Sequence, residues 1–410
     1  MDQILRRDAD YIIASSISAV KPDAAVGRAL AGLEFPGRVL LVSAGKAAWQ
    51  MAKAAVDVLG DRIEKGVVVT KYDHVMGPIQ NVECYEAGHP VPDENSFFGT
   101  QKALDLVEGL TEKDTVLFLL SGGGSALFEK PLVPGAVLQD VTGQLLACGA
   151  DIVEMNTIRK RLSAVKGGRF ALHCAPAQVF AIVLSDILGD PLDMIASGPA
   201  CPDSSTCAQA LAIAEKYNLR LTEETWELLK QETPKELSNV TTKINGSVRE
   251  LCAAAGKACQ ELGYEPILLT DQLTCQAKEA GSFLASILKT HAGSGKRLAF
   301  LAGGETVVHL TGKGKGGRNQ ELALAAAAGI AGIPGTAVFS VGSDGTDGPT
   351  DAAGGYADHE TAQTLADQGI QIFQVLKNND AYHALEKSGG LIVTGPTGTN
   401  VNDVAVALLR

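Results

Sequence analysis

Residues 298–324, LAFLAGGETVVHLTGKGKGGRNQELAL, decide how the rest of the chain is read. The apolar run 298–301 predicts a strand, the glycines after it break the strand at Glu305, and 306–311 predicts a second strand. A loop of four glycines and three cations then leads into a helix opening near Asn319. Glycine clears side chains from the path of a ligand. Lys313, Lys315 and Arg318 bring positive charge to a helix N-terminus, where free amides already favour anions. On this reading Lys313, Gly314 and Gly316 cradle a polyphosphate. Two other readings fit the same letters. The loop would also make a solvated hairpin tip, and Gly312, Gly314 and Gly317 match the dinucleotide fingerprint G-x-G-x-x-G, with the next strand ending at Asp344. Three cations in one loop suit a triphosphate better than the diphosphate of a dinucleotide.

Towards the C-terminus, the strand predicted at 336–342 empties into SDGTDGPTD, residues 343–351. Asp344, Asp347 and Asp351 so close together would repel one another unless a cation lay between them, and magnesium is the natural candidate; a structural Asp-Gly turn is the alternative. A strand at 391–394 precedes the loop 395–400, where Asn400 offers both a donor and an acceptor.

Towards the N-terminus, RVLLVS (38–43) predicts a buried parallel strand that runs through Ala44, Gly45 and Lys46 into a helix. A lysine in a first helical turn is unfavourable by roughly a few tenths of a kcal/mol, so Lys46 either faces an anion or swings its stem into water. The stiff loop 88–93, GHPVPD, carries His89, which either contacts substrate or caps the turn. TVLFLL (115–120) predicts another strand, running into Ser121, Gly122, Gly123, Gly124 and Ser125. Three successive glycines give a second candidate anion cradle, built from amides and Ser125, or a tight turn for strand–helix packing. The cation-rich segment 155–170 predicts an amphipathic helix of the kind that faces water. VFAIVLSD (179–186) predicts a strand ending at Asp186, placed for a catalytic carboxylate or a magnesium ligand, or for capping a turn.

Strand and helix alternate throughout, which predicts two doubly wound α/β domains with a cleft between them. The polar segment 231–246 is the expected linker, giving domains at 1–236 and 237–410. A net charge of −12 argues against nucleic acid or an anionic membrane as partner. Eight cysteines without a C-x-x-C pair and seven dispersed histidines give no zinc site, and G-x-S-x-G is absent. With no signal peptide or membrane-spanning run, the protein is expected in the cytoplasm. Oligomeric state is open, and a homo-oligomer is compatible with the sequence. Glycine loops, isolated cations and clustered carboxylates without a nucleophile dyad are the ingredients of phosphoryl transfer.

SAGKAAWQMAKAA, GHPVPDENS, LSGGGSAL, NTIRKRLSAVKGGR, LSDILGD, AGGETVVHLTGKGKGGRNQELAL, SVGSDGTDGPTDAAGG and TGPTGTNVND together resemble the class II glycerate kinase family, over nearly the whole chain. That family joins a DUF4147-type N-terminal domain to a smaller MOFRL domain. The resemblance implies ATP-dependent, magnesium-assisted phosphorylation of D-glycerate at the 2-hydroxyl. It implies Lys46 and Arg318 as catalytic cations, with Asp186, Glu305, Asp344 and Asn400 at other active-site positions and the two glycine loops as phosphate and substrate cradles. Each domain is then expected to be a largely parallel Rossmann-like sheet with flanking helices. Asp186 is the first choice for general base, and Asp344 with Asp347 or Asp351 for magnesium. The alternatives are a nicotinamide-dependent hydroxypyruvate reductase, a label some members once carried, and a non-catalytic nucleotide sensor.

Overall fold

Uninterrupted apolar runs become strands buried on both faces. A computed structural model describes all 410 residues and places such runs at the centre of two sheets, one in each of two units: Ala25–Asn245, and Met1–Ala24 with Gly246–Arg410. In the first unit the strands are β1 (Val39–Ala44), β2 (Ile63–Lys71), β3 (Val82–Ala87), β4 (Thr115–Leu120), β5 (Gln178–Leu184) and β6 (Val240–Gly246), in the order β3-β2-β1-β4-β5-β6. β1 runs parallel to β2 and β4, β2 to β3, and β4 to β5. Both central strands, β1 and β4, are buried at every position. In this order the chain leaves β1 towards one edge of the sheet and β4 towards the other, so a crevice opens at their carboxyl ends. Apolar clusters cover both faces, one around Phe118, Phe128 and Phe170, the other around Met51, Leu41 and Leu117.

The second unit holds β7 (Glu265–Leu273), β8 (Leu298–Gly304), β9 (Thr336–Gly342), β10 (Gly354–Asp358), β11 (Leu391–Ile392) and β12 (Asp403–Leu409), in the order β11-β10-β9-β12-β8-β7. β7 and β8 are parallel, whereas β12 runs against both β8 and β9, and β10 against both β9 and β11. Four strands therefore share one direction, with β12 and β10 set between them in reverse. No helix separates β9 from β10 or β11 from β12, and without a crossover helix a strand returns antiparallel.

Three expectations change. Residues 306–311 form no strand beyond an isolated bridge between Gln276 and Val307, because their end is drawn to another turn, where Asn379 Oδ1 accepts from Thr311 N–H at 2.8 Å. The polar segment taken for a linker supplies β6, moving the division from 236/237 to Asn245/Gly246. The helix Gln3–Ala19 belongs with the second unit, where it packs on the helix Val248–Glu261 and buries Leu5, Ile12 and Ile13.

The cation-rich helix Ile152–Arg161 does not face water either. Lys160, Arg161 and Lys166 are 1%, 0% and 0% exposed, which only counter-charges from elsewhere in the chain make tolerable. Asp203 lies 3.0 Å from Lys160 Nζ and 3.7 Å from the Arg161 guanidinium. Lys166 Nζ stands 2.6 Å from Glu129 Oε2 and donates to the Phe128 carbonyl at 3.1 Å. Burial pulls the Lys166 amine down to about 8, with Glu129 opposing.

Candidate active site

At the β1–β4 crevice two turns are stitched together through their backbones. Lys46 N–H donates to the Gly122 carbonyl at 2.9 Å, and Ala47 N–H to Ser121 Oγ at 3.1 Å. Thr70 Oγ1–H holds the Gly45 carbonyl at 3.0 Å. A Cβ at Gly122 would collide with Asp186 Oδ2, so the absence of a side chain there lets the carboxylate reach the backbone of the loop. Gly123 takes φ +85°, open to glycine at little cost, and a Cβ on it would come within 3.1 Å of both His89 Nε2 and Lys46 Cγ. Lys46, Ser121, Gly122, Gly123, His89 and Asp186 therefore converge on one spot. The N–H groups of Gly123, Gly124 and Ser125 are taken by no backbone carbonyl of another element, as an anion cradle requires.

Ser125 turns inward. Its Oγ lies 3.2 Å from Ser197 Oγ, which donates to Asn156 Oδ1 at 2.8 Å, and its carbonyl accepts from Arg159 Nη2 at 3.1 Å. Any part it takes in a cradle is through its amide. A Gly122→Ala chain is expected to lose at least tenfold in kcat while melting within a few degrees of the parent, because its Cβ must displace either Asp186 or the loop; kinetics with a melting curve checks this.

His89 does not cap its turn. Asp93 does, accepting from Ser96 N–H at 3.0 Å and from the Tyr72 hydroxyl at 2.6 Å. Burial, with Lys46, Lys71 and His74 adding to it, holds the His89 imidazole below its ordinary pKa.

In the second unit Arg318 opens the helix Arg318–Ile330. Asp403 grips its guanidinium through Nε at 2.6 Å and Nη2 at 3.1 Å, while Nη1 donates to Glu305 Oε1 at 2.9 Å. Burial disfavours the charge on Arg318, yet Asp403 and Glu305 more than offset it and raise the guanidinium pKa. Burial also raises the Asp403 carboxyl, against the pull of Arg318. Asn402 Nδ2 donates to Glu305 Oε2 at 3.2 Å, and Asn400 is exposed beside it. Arg318 is thus a pre-oriented cation with a fixed counter-charge.

The three aspartates expected around magnesium do not converge, and no group of three His, Cys, Asp or Glu side chains is placed to hold a metal ion. Asp347 is buried and accepts from Asn319 and Gln320 N–H at 3.1 and 2.9 Å, so it caps the helix that carries Arg318. Burial lifts its carboxyl to about 6. Asp351 lies on the surface, accepting from the Tyr382 hydroxyl at 2.8 Å. The Asp344 carboxylate accepts from Thr346 N–H of its own turn at 2.9 Å.

The loop around Lys313, Gly314 and Gly316 also differs from expectation. Four of its amides are occupied: Asn379 Oδ1 takes Gly312 N–H at 2.9 Å, Asn378 Oδ1 takes Lys313 N–H at 3.2 Å, the Asn378 carbonyl takes Gly314 N–H at 2.8 Å, and Asp380 takes Lys315 N–H at 2.9 Å. Gly312 and Gly314 are small because another backbone, at Asn378, lies against them. Lys315 Nζ sits over the Tyr382 ring, 3.7 Å from its centre. The literal dinucleotide fingerprint is therefore a docking loop, and of the proposed cradle the exposed Lys313 side chain and the Gly316 amide remain available. Asp403 escaped the sequence reading, although one acid heading the otherwise apolar DVAVALL, opposite Gly304 and Gly342, was the signal.

Residues 8–230 match the domain of unknown function DUF4147, and residues 298–403 match the MOFRL family. A D-glycerate 2-kinase of Thermotoga maritima is 55% identical over 99% of this chain and 98% of its own length. The chain belongs to the DUF4147–MOFRL glycerate kinase family. Another relative of these glycerate kinases, from Agrobacterium vitis, carries the name hydroxypyruvate reductase; it is 39% identical over 99% of this chain and 94% of its own length. The crystal structure of glycerate kinase from Thermotoga maritima has 54% identity and a TM-score of 0.95, covering 100% of both chains. The MOFRL match runs from the first residue of β8 to Asp403, so it encloses Arg318 and both carboxylates that hold it.

Proposed function

We propose that this chain transfers the γ-phosphoryl group of ATP to the 2-hydroxyl of D-glycerate, giving 2-phosphoglycerate and ADP. The observation that carries the reading is the meeting of Lys46, the Ser121–Gly122–Gly123 turn and Asp186 at the carboxyl ends of β1 and β4. Phosphoryl transfer asks a protein mainly for position and for positive charge where negative charge develops. Lys46 and the amides of Gly123, Gly124 and Ser125 supply such charge in one unit, and in the other Arg318, oriented by Asp403 and Glu305, is a second cation of the kind this chemistry uses. Asn400 and Lys313 are offered to the substrates from exposed positions.

Magnesium enters as the nucleotide complex. It usually keeps several waters and takes one or two carboxylates alongside phosphate oxygens rather than a protein cage. The chain fits that habit: Asp344 is the carboxylate of its loop that would hold the ion, and the ion would supply neutralisation of phosphate charge. Lys46 and the glycine loop meanwhile orient the phosphates, and Asp186, set against Gly122, borders the loop.

No helix of the structure is long and apolar enough to cross a membrane, and we place the reaction in the cytoplasm. The test is ADP release coupled to a dehydrogenase, with phosphorus NMR of the product. ADP formation dependent on both D-glycerate and magnesium, with phosphate on the 2-oxygen, is the expected result. Consumption of NADH with hydroxypyruvate and no ADP release would replace this reading by the reductase.

A further inference from the structure

His89 meets the glycine loop at Gly123, one residue beyond the Gly122 that Asp186 lies against. Its Nε2 and Cδ2 pack against Gly123, and the Lys46 stem approaches the same point. The ring is half-buried, yet neither nitrogen makes a hydrogen bond within the protein, and Asp93 performs the capping that would otherwise account for a polar residue in this turn. A half-buried imidazole without a protein partner, touching the glycine loop where the Lys46 stem also approaches, is placed to meet an acceptor or donor from outside the chain.

We propose that His89 Nε2 is the base that takes the proton from the glycerate 2-hydroxyl, an assignment that rests on the kinase reading above. As the bond from the 2-oxygen to Pγ forms, the bond from Pγ to the β–γ bridging oxygen breaks and its electron pair leaves on ADP. The hydroxyl proton passes to Nε2, and the imidazolium then yields it to water, so the sum is 2-phosphoglycerate, ADP and one proton. A base works best when its pKa lies near the working pH and its lone pair is free. Burial, with Lys46, Lys71 and His74, lowers the pKa of the ring and so favours its neutral form; the carboxylates of this region are Asp93, set against Gly88, and Asp186, set against Gly122. Asp186, the expected base, is instead a carboxylate set against the Gly122 backbone, suited to fixing the loop.

The experiment is steady-state kinetics with D-glycerate and magnesium-ATP from about pH 5 to 9, on the parent, His89→Gln and His89→Asn. The expected result is a loss of about 10²–10⁴ in kcat in both variants, with either KM changed less than about threefold. The parent's fall in kcat/KM towards acid, as Nε2 protonates below the ordinary imidazole range, should vanish in the variants. Variants that keep more than about a fifth of the parent kcat, or keep its acid limb, overturn the assignment. If both variants are unfolded at the assay temperature, His89→Gly with added imidazole takes their place: a restored rate supports the base and an unrestored one overturns it. A parent that transfers nothing to glycerate overturns the kinase reading as well, whereas an active parent with active variants overturns His89 alone.

Discussion

Lys46→Ala is expected to cost on the order of 10³ in kcat, the scale of a cation that meets the transferring phosphoryl group, while leaving the fold intact. Lys46 makes no ion pair within the protein, and what anchors this turn is its backbone N–H on the Gly122 carbonyl at 2.9 Å, which alanine keeps. Single-turnover kinetics and a melting curve on one preparation separate the two quantities. If Arg318 acts on the same phosphoryl group, adding Arg318→Ala to Lys46→Ala will cost much less than the sum of the two losses, because residues that act as a unit are not additive. A fully additive pair would assign Arg318 to another task.

The largest effect on stability is expected at Asp203, far from any substrate role. Asp203→Asn leaves buried Lys160 with only Asp193, at 3.4 Å, and buried Arg161 with only Glu232, at 3.5 Å, and breaking a buried pair in this way costs about 3–5 kcal/mol. Thr233 and Ser205 also donate to this carboxylate, at 2.6 and 2.9 Å. Burial works to raise the Asp203 pKa, but these bonds and Lys160 bring it below the ordinary value. Its contribution is therefore present above the ordinary carboxylate range and is lost as pH falls through the lower, folded value. Both tryptophans, Trp49 and Trp226, lie in the unit Ala25–Asn245, so their fluorescence in urea follows this unit alone. Glu232→Gln, 3.5 Å from Arg161 and 44% exposed on its side chain, serves as the control and should shift the midpoint little.

Much of the architecture was legible because apolar runs such as VLLVSA and TVLFLL admit one interpretation, and the strand–glycine–helix junctions at Lys46 and Gly122 marked the crevice. What was hidden depended on partners distant in sequence. The cations of 159–166 read as a wet face, since nothing nearby shows that Asp203 and Glu129 will come to meet them. Gly312 and Gly314 read as a ligand cradle, because close approach of Asn378 and close approach of a phosphate ask the same thing of a residue. Asp344, Asp347 and Asp351 read as one cluster by spacing, whereas Asp347 turned under a helix to cap it. β12 could not be assigned its direction, which depends on its being threaded between β8 and β9.

That threading has a consequence for biosynthesis. β12 lies between β8 and β9, near the middle of its sheet, although it is the last strand in the chain. On the ribosome the unit Ala25–Asn245 can finish while 403–409 is still being made, but the second sheet has an open slot until those residues emerge. The helix Gln3–Ala19 must wait for its seat on Val248–Glu261 until the whole of the other unit has been made, its greasy side of Leu5, Ile12 and Ile13 uncovered all the while. Nascent chains of this protein are therefore natural clients for holding chaperones, which would cover the helix Gln3–Ala19 until Val248–Glu261 emerges and the open slot until 403–409 fills it.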